Sequence, residues 1–268
     1  MTEPAPEQPN PFVLVEDCRY GRFLVPPTDK YVGQALMKYG EYSQVELDLV
    51  LQLFPKGGRV VVAGANIGAF IPALAQKAGE VVAFEPQRWV YQLMVANAAL
   101  NGHINVRPYW AGLGTQARYA SIPVLDPWRQ NNFGAFELAM GEGIEGGEPV
   151  PVYRLDKMPN MDMQLLTIDV EGMELDVLQG AEATIERNRP VIFFEADRKL
   201  KNPAVFAWLR GRNYDLHWHR TPLYNPNNWR KDEENVYMID GAIVVAENVI
   251  ATAKERNITL AGFVPVLD

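Results

Sequence analysis

Cysteine is almost absent. A single residue, Cys18, occurs in 268. That excludes an intrachain disulfide framework and any cysteine-rich zinc site, and it fits a reducing compartment. Basic charge is also scarce: 25 Lys and Arg stand against 33 Asp and Glu, for a net charge of −8. A global positive field for a nucleic-acid backbone is therefore excluded, and no nucleic-acid partner is expected. Long apolar runs are missing too. The most apolar stretch, Val60 to Ala75, is broken by Gly64, Asn66, Gly68 and Pro72. It is too short and too punctuated to span a bilayer. The start, Met1-Thr2-Glu3-Pro4, has acid where a secretory leader has positive charge, and no apolar core follows. These absences predict a cytoplasmic protein without a membrane partner. What remains is 48% hydrophobic and 22% charged, enough to bury a core in one large domain with extensions.

Four prolines among the first eleven residues predict a disordered tail over 1–11. Phe12–Val15 and Gly21–Val25 look like two short strands, and Tyr31 to Phe54 turns helical. There Val45, Leu49 and Leu53 recur at helical spacing, and Ser43 with Glu46 has the pattern of a capping box. Residues 12–58 are thus an N-terminal hairpin with helices. From 59 onward strand and helix alternate. Strands are predicted at Arg59–Ala63, Glu80–Phe84, Asn105–Tyr109, Gln164–Ile168 and Pro190–Phe194. Helices are predicted near Ala69–Ala78, Trp89–Asn101, Met173–Arg187 and Pro203–Arg212. Residues 112–150 break the rhythm and read as a β-rich insertion, ending in an exposed, mobile acidic glycine loop, 141–148. Tyr214–His219 and Ala242–Ala246 are separated only by a polar loop, which suits antiparallel pairing. The fold class is α/β: a doubly wound, mostly parallel sheet with an antiparallel C-terminal strand.

In open α/β sheets ligands sit beyond the carboxyl ends of the strands. Those ends read Gly64-Ala65-Asn66-Ile67-Gly68, Glu85-Pro86-Gln87, Asp169-Val170-Glu171-Gly172 and Glu195-Ala196-Asp197. Gly64–Gly68 is a tight turn into a helix, with room for close backbone approach. Glu85, at the next strand end, is placed to grip two ribose hydroxyls. Together they point to an adenosyl-type cofactor. The loop lacks the G-x-G-x-x-G of a nicotinamide dinucleotide site. S-Adenosyl-L-methionine, without a pyrophosphate, tolerates the looser loop. The bland reading is a tight turn and nothing more.

Five motifs occur in order: Gly40-Glu-Tyr-Ser43, Gly64-Ala-Asn-Ile-Gly68, Phe84-Glu-Pro86, Ile168-Asp-Val-Glu-Gly-Met-Glu174 and Pro190-Val-Ile-Phe-Phe-Glu195. Together they resemble the FkbM family of S-adenosylmethionine-dependent methyltransferases, from about Gly40 to Glu195. The resemblance implies a class I Rossmann-like fold and O-methylation of hydroxyl groups, often on sugars or on glycosylated and polyketide products. It implies that Gly64, Asn66 and Gly68 line the methionine part of the cofactor, with Ala65 and Pro86 inside the same motifs. It implies further that Glu85 binds the ribose, that Tyr42 and Ser43 help close the pocket, and that Asp169 faces the reacting centre. Two departures stand out: Val62 replaces the family's acid before the first glycine, and Thr167-Ile168 replaces the usual basic residue before Asp169.

A hydroxyl is a poor nucleophile at neutral pH, so a base is expected among Asp169, Glu171, Glu195, His217 and His219. Asp169 ends a buried strand and is the first choice. Asp169, Glu195 and His219 could also hold a divalent ion, but no ligand spacing supports one, and a metal is not favoured. The segments Trp218–Trp229 and Asn131–Gly134 mix amides and aromatics and suit an acceptor wall. Ordinary turn chemistry explains them equally well. The expected partner is a small-molecule or glycan acceptor. The rivals are a non-catalytic adenosyl-ligand binding module and an NAD-dependent oxidoreductase.

Overall fold

The computed structural model describes residues 9–134, 138 and 145–267. Most of the expected disordered tail, and residues 141–144 of the expected mobile loop, lie outside them. The chain opens with the antiparallel hairpin of β1 (Val13–Cys18) and β2 (Gly21–Val25). Two helices follow, α1 (Val32–Tyr39) and α2 (Gln44–Gln52). The helical stretch expected over 31–54 is therefore divided. Gly40 adopts a left-handed φ of 69° and donates its N–H to the Leu36 carbonyl, which ends α1.

The central layer has the order β15-β11-β14-β10-β9-β3-β4-β5. Its parallel part consists of β3 (Arg59–Ala63), β4 (Glu80–Glu85), β5 (Val106–Trp110), β9 (Leu165–Ile168) and β10 (Val191–Glu195). The β-branched run Val60-Val61-Val62 is buried on both faces, as a central parallel strand requires. The antiparallel ending is present. β11 (Tyr214–Pro222) and β14 (Val245–Ala253) pair antiparallel, and β14 inserts between β11 and β10. β15 (Val264–Pro265) closes that edge. The last long strand thus starts at Val245, and Ala242–Ile243 belongs elsewhere: β12 (Met238–Ile239) and β13 (Ala242–Ile243) form a separate exposed hairpin around Gly241.

Helices cover both faces. α3 (Ile71–Lys77) and α4 (Arg88–Leu100) join α2 on one face. On α4, Val90, Leu93, Met94, Asn97 and Ala98 are buried at i, i+3, i+4, i+7 and i+8, the stripe of a core-facing helix. α5 (Glu174–Gly180), α6 (Glu182–Asn188) and α7 (Asn202–Arg210) cover the other face. The helix expected over 173–187 breaks at Ala181. Gly180 packs against the Gly114 carbonyl so closely that a Cβ would lie 2.0 Å from it. The insertion is β-rich: β6 (Gly112–Leu113), β7 (Arg118–Pro123) and β8 (Gly147–Tyr153) form a three-stranded sheet.

Strand order reverses between β3, which continues outward to β4 and β5, and β9, which continues to β10. That junction is where a doubly wound sheet opens a ligand crevice.

Candidate active site

A cavity of about 390 Å³ lies at the carboxyl ends of β3, β4, β9 and β10. Its floor is the turn after β3. Gly64 takes a φ of 82°, and a Cβ there would fall 1.7 Å from the Asp169 backbone oxygen. Only glycine lets the two strand ends meet. Asn66 is also left-handed, at φ 50°, and its side-chain oxygen accepts the Ile67 N–H at 2.6 Å. Such local bonding is how asparagine tolerates this conformation. Asn97 of α4 is fully buried and braces the loop from behind. It donates to the Ile67 and Leu24 carbonyls and accepts the Leu24 N–H. Nothing in the sequence marks Asn97, since a mid-helix amide has no local signature.

Glu85 is 5% exposed and lines the cavity. One carboxylate oxygen accepts the Asn66 N–H and the other accepts the Gln87 N–H, both at 2.9 Å. Burial pushes its carboxyl up to about 7, against the opposing pull of those two amides. A carboxylate has about four lone-pair sites, so each oxygen keeps one for a ligand donor.

Asp169 and Glu195 stand side by side, one position beyond the Ile168–Phe194 pair of β9 and β10. They share a hydrogen bond, and both are raised above the usual carboxylate range, first by burial and then by neighbouring negative charge. Two carboxyls so placed hold one proton between them. Glu171 completes a trio whose ligand atoms lie within 4.8 Å of one another. Arg198, the only basic residue on the cavity wall among the described residues, is ion-paired to Glu171. The trio has donors for a divalent cation, but one carboxylate is already neutralised by Arg198, and His219 is not part of the group.

The chain matches the family described as Methyltransferase FkbM domain over residues 63–216. It belongs to this family of S-adenosylmethionine-dependent methyltransferases. Methyltransferase sdnD of Sordaria araneosa is 28% identical over 197 residues, covering 60% of this chain and 75% of that one. Methyltransferase 1 of Beauveria bassiana is 26% identical over 150 residues, covering 48% of this chain and 60% of the relative. Among solved structures, Trm5b from Pyrococcus abyssi superposes with a TM-score of 0.50 at 12% identity, covering 91% of this chain and 57% of that one. Methyltransferase FkbM from Methylobacillus flagellatus gives 0.49 at 16%, covering 74% and 44%. The fold is of the class I methyltransferase type. Family membership sets the nicotinamide oxidoreductase reading aside.

The cavity gathers most of the residues singled out by the motifs. Tyr42, Gly64, Ala65, Asn66, Glu85, Pro86, Asp169, Glu171 and Glu195 all line it. Three do not. Gly68 packs beneath the loop, against Met94 and Ile71. Ser43 is buried behind the wall, and the capping box expected there is not formed. Its hydroxyl donates to the Glu46 carboxylate at 2.9 Å instead of accepting a backbone N–H. Ser43 has a left-handed φ of 41°. His219 is buried between the Phe193 and Phe263 rings. Burial lowers its affinity for a proton, and Nδ1 has no partner.

Of the two segments suited to an acceptor wall, Asn132, Phe133 and Gly134 are on the cavity. From Trp218–Trp229 only Leu223 is. Trp218–Pro222 belong to β11, and Asn225 and Trp229 are held elsewhere by Glu41, which accepts from Arg19 Nε (2.7 Å), Asn225 Nδ2 (2.8 Å) and the Trp229 N–H (2.9 Å). Val62 lines the cavity and packs with Val50 of α2. Two wall residues were missed as site residues: Glu46, read only as a helix cap, and Asn248, which has no motif around it.

Proposed function

We propose that the protein transfers a methyl group from S-adenosylmethionine to a hydroxyl of a sugar, glycan or glycosylated metabolite. The observation that carries this reading is the Asp169–Glu195 pair beside Gly64. A neutral hydroxyl must lose a proton as it is methylated, and a carboxyl pair holding a single proton has one oxygen free to accept another. When bound, the cofactor supplies an electrophilic methyl on a sulfonium whose charge disappears as the methyl leaves. Proton uptake by the pair removes one negative charge in the same event, so the cavity's net charge is preserved. The buried, donor-hungry Glu85 suits the ribose diol, and the Gly64–Asn66 turn leaves room for the chain beyond it. Asn132 offers an amide to a hydroxyl-rich acceptor. Burial excludes water and holds the reacting atoms in line, an effect worth about 7–11 kcal/mol when well arranged.

A second reading, a non-catalytic binder of adenosyl ligands, draws on Val62, where the family pattern places an acid. One experiment separates the two. Labelled S-adenosylmethionine is incubated with a panel of sugars, glycosides and hydroxylated polyketides, alongside calorimetry with S-adenosylhomocysteine and NAD. The expected result is tight binding of S-adenosylhomocysteine, none of NAD, and label in a hydroxylated acceptor, unchanged by a chelator. Binding without transfer to any acceptor would favour the second reading.

A further inference from the structure

Among the described residues seven carboxyl side chains line the cavity, and six have an evident occupation. Glu85 accepts two backbone amides. Glu171 and Asp197 are ion-paired to Arg198, and Glu247 is ion-paired to Arg220 at 3.0 Å. Asp169 and Glu195 share their proton. Glu46 has the Ser43 hydroxyl at 2.9 Å and, beside it, the side-chain amide of Asn248. Asn248, on β14, is 4% exposed and lines the same cavity. Its Nδ2 makes no hydrogen bond of normal geometry and has only a loose contact with the Glu46 carboxylate, whose ionised form it favours. A buried amide donor so loosely paired is unfavourable, so its persistence on a cavity wall points to a ligand.

Position decides which ligand. Asn248 is opposite Glu195 in the β10–β14 register. Four strand steps separate β14 from β4, where Glu85 sits, which is about 19 Å at the usual strand spacing. With its ribose at Glu85 and its methionine part along the Gly64–Gly68 turn, as the family resemblance implies, the cofactor lies over β4, β3 and β9, and β14 is two strands further on. Asn248 lies on the far side of the Asp169–Glu195 pair and meets Glu46, and Leu223, Val244 and Val245 line the same cavity.

We infer that Glu46 and Asn248 form the recognition subsite for the methyl acceptor, and that this subsite takes an uncharged molecule while turning away phosphorylated or carboxylated ones. The inference rests on the methyltransferase reading above. Glu46 accepts a hydrogen bond from a hydroxyl neighbouring the methylated one. Asn248 Nδ2 donates to an ether, carbonyl or hydroxyl oxygen. Leu223, Val244 and Val245 cover an apolar side of the molecule. An anionic group would meet Glu46, Glu195 and Asp169 with no unengaged cation on the wall among the described residues, and like charges brought together without water repel.

The test uses the full chain with Glu46→Gln and Asn248→Leu, and a panel of methyl glycosides paired with their phosphates and uronic acids. Both variants are expected to keep the wild-type affinity for S-adenosylhomocysteine in calorimetry, within about threefold. Both should raise KM for a neutral acceptor about tenfold or more, with a smaller change in kcat. The wild-type protein should favour each neutral member over its anionic partner by about a hundredfold, and Glu46→Gln should narrow that ratio. Loss of S-adenosylhomocysteine affinity with KM unchanged would move both residues to the cofactor and overturn the inference. Equal use of neutral and anionic partners would also overturn it. Failure of the wild-type protein to bind S-adenosylhomocysteine at all would instead bring down the chemistry on which the inference depends.

Discussion

At the scale of single residues, Glu85 and the Asp169–Glu195 pair make different demands on the same cavity. Glu85 holds its own loop in place through two backbone amides, so its proposed ribose contact comes on top of a structural role. Glu85→Ala is expected to weaken S-adenosylhomocysteine binding by roughly 1.5–3 kcal/mol, tenfold to a hundredfold, in calorimetry. Full retention of affinity would remove the ribose assignment. Asp169 is expected to act on rate. Asp169→Asn should lower kcat by about 10²–10⁴ and leave S-adenosylhomocysteine affinity nearly intact. The pair must be partly ionised to accept a proton, and its proton affinity is raised. The wild-type rate should therefore fall as pH is lowered, on a limb above the range near 4 where an ordinary carboxylate titrates. Stopped assays across pH 5 to 9 would show it. These carboxyls were legible in the sequence because each ends a buried apolar run. Glu46 and Asn248 were not, because they approach the cavity from a helix and from an antiparallel strand distant in the chain.

At the scale of elements, the junction of β3 and β9 is the least forgiving place in the molecule. A side chain at Gly64 would collide with the Asp169 backbone and strain a left-handed turn at once. Gly64→Ala should cost about 3 kcal/mol or more in urea unfolding. Gly57→Ala is the matched control. Gly57 has a similar φ of 79° but nothing within 4 Å of a new Cβ, so its cost should stay near the 1–2 kcal/mol of left-handed strain alone. Equal costs would show that the strand contact contributes nothing. Strand positions in the parallel half agreed with the sequence to within a residue or two, since continuous apolar runs bounded by glycine or proline have few other conformations. The longer helices did not. Gly40 and Gly180 divide them, and the division at Gly180 follows from a packing contact with Gly114 that no local pattern encodes.

At the scale of the whole molecule, burial of acidic groups makes folding itself pH-sensitive. Glu46 and Glu85 are each pushed up to about 7 by burial, above the value near 4.3 of an unfolded glutamate. Between those values the folded chain binds more protons than the unfolded chain. Their contribution to stability is therefore full below about pH 4.3 and is lost as pH rises through about 7. The melting temperature is expected to be a few degrees lower at pH 8 than at pH 5.5. Glu46→Gln should narrow that difference in a calorimetric scan, because the amide cannot ionise. No helix among the described residues is long and apolar enough to cross a membrane.

The alternation of apolar strand and amphipathic helix, the glycine turn after the first parallel strand and the acids at successive strand ends were set by local sequence alone. They specify the class of fold and the cofactor crevice because each depends on residues close together in the chain. The tertiary structure alone decided that Asn225 and Trp229 are held by Glu41, that His219 is sealed between two phenylalanines, and that Glu46 and Asn248 face the same space. Those outcomes depend on which distant side chains are brought together when the sheet closes, and a linear pattern carries no information about that distance.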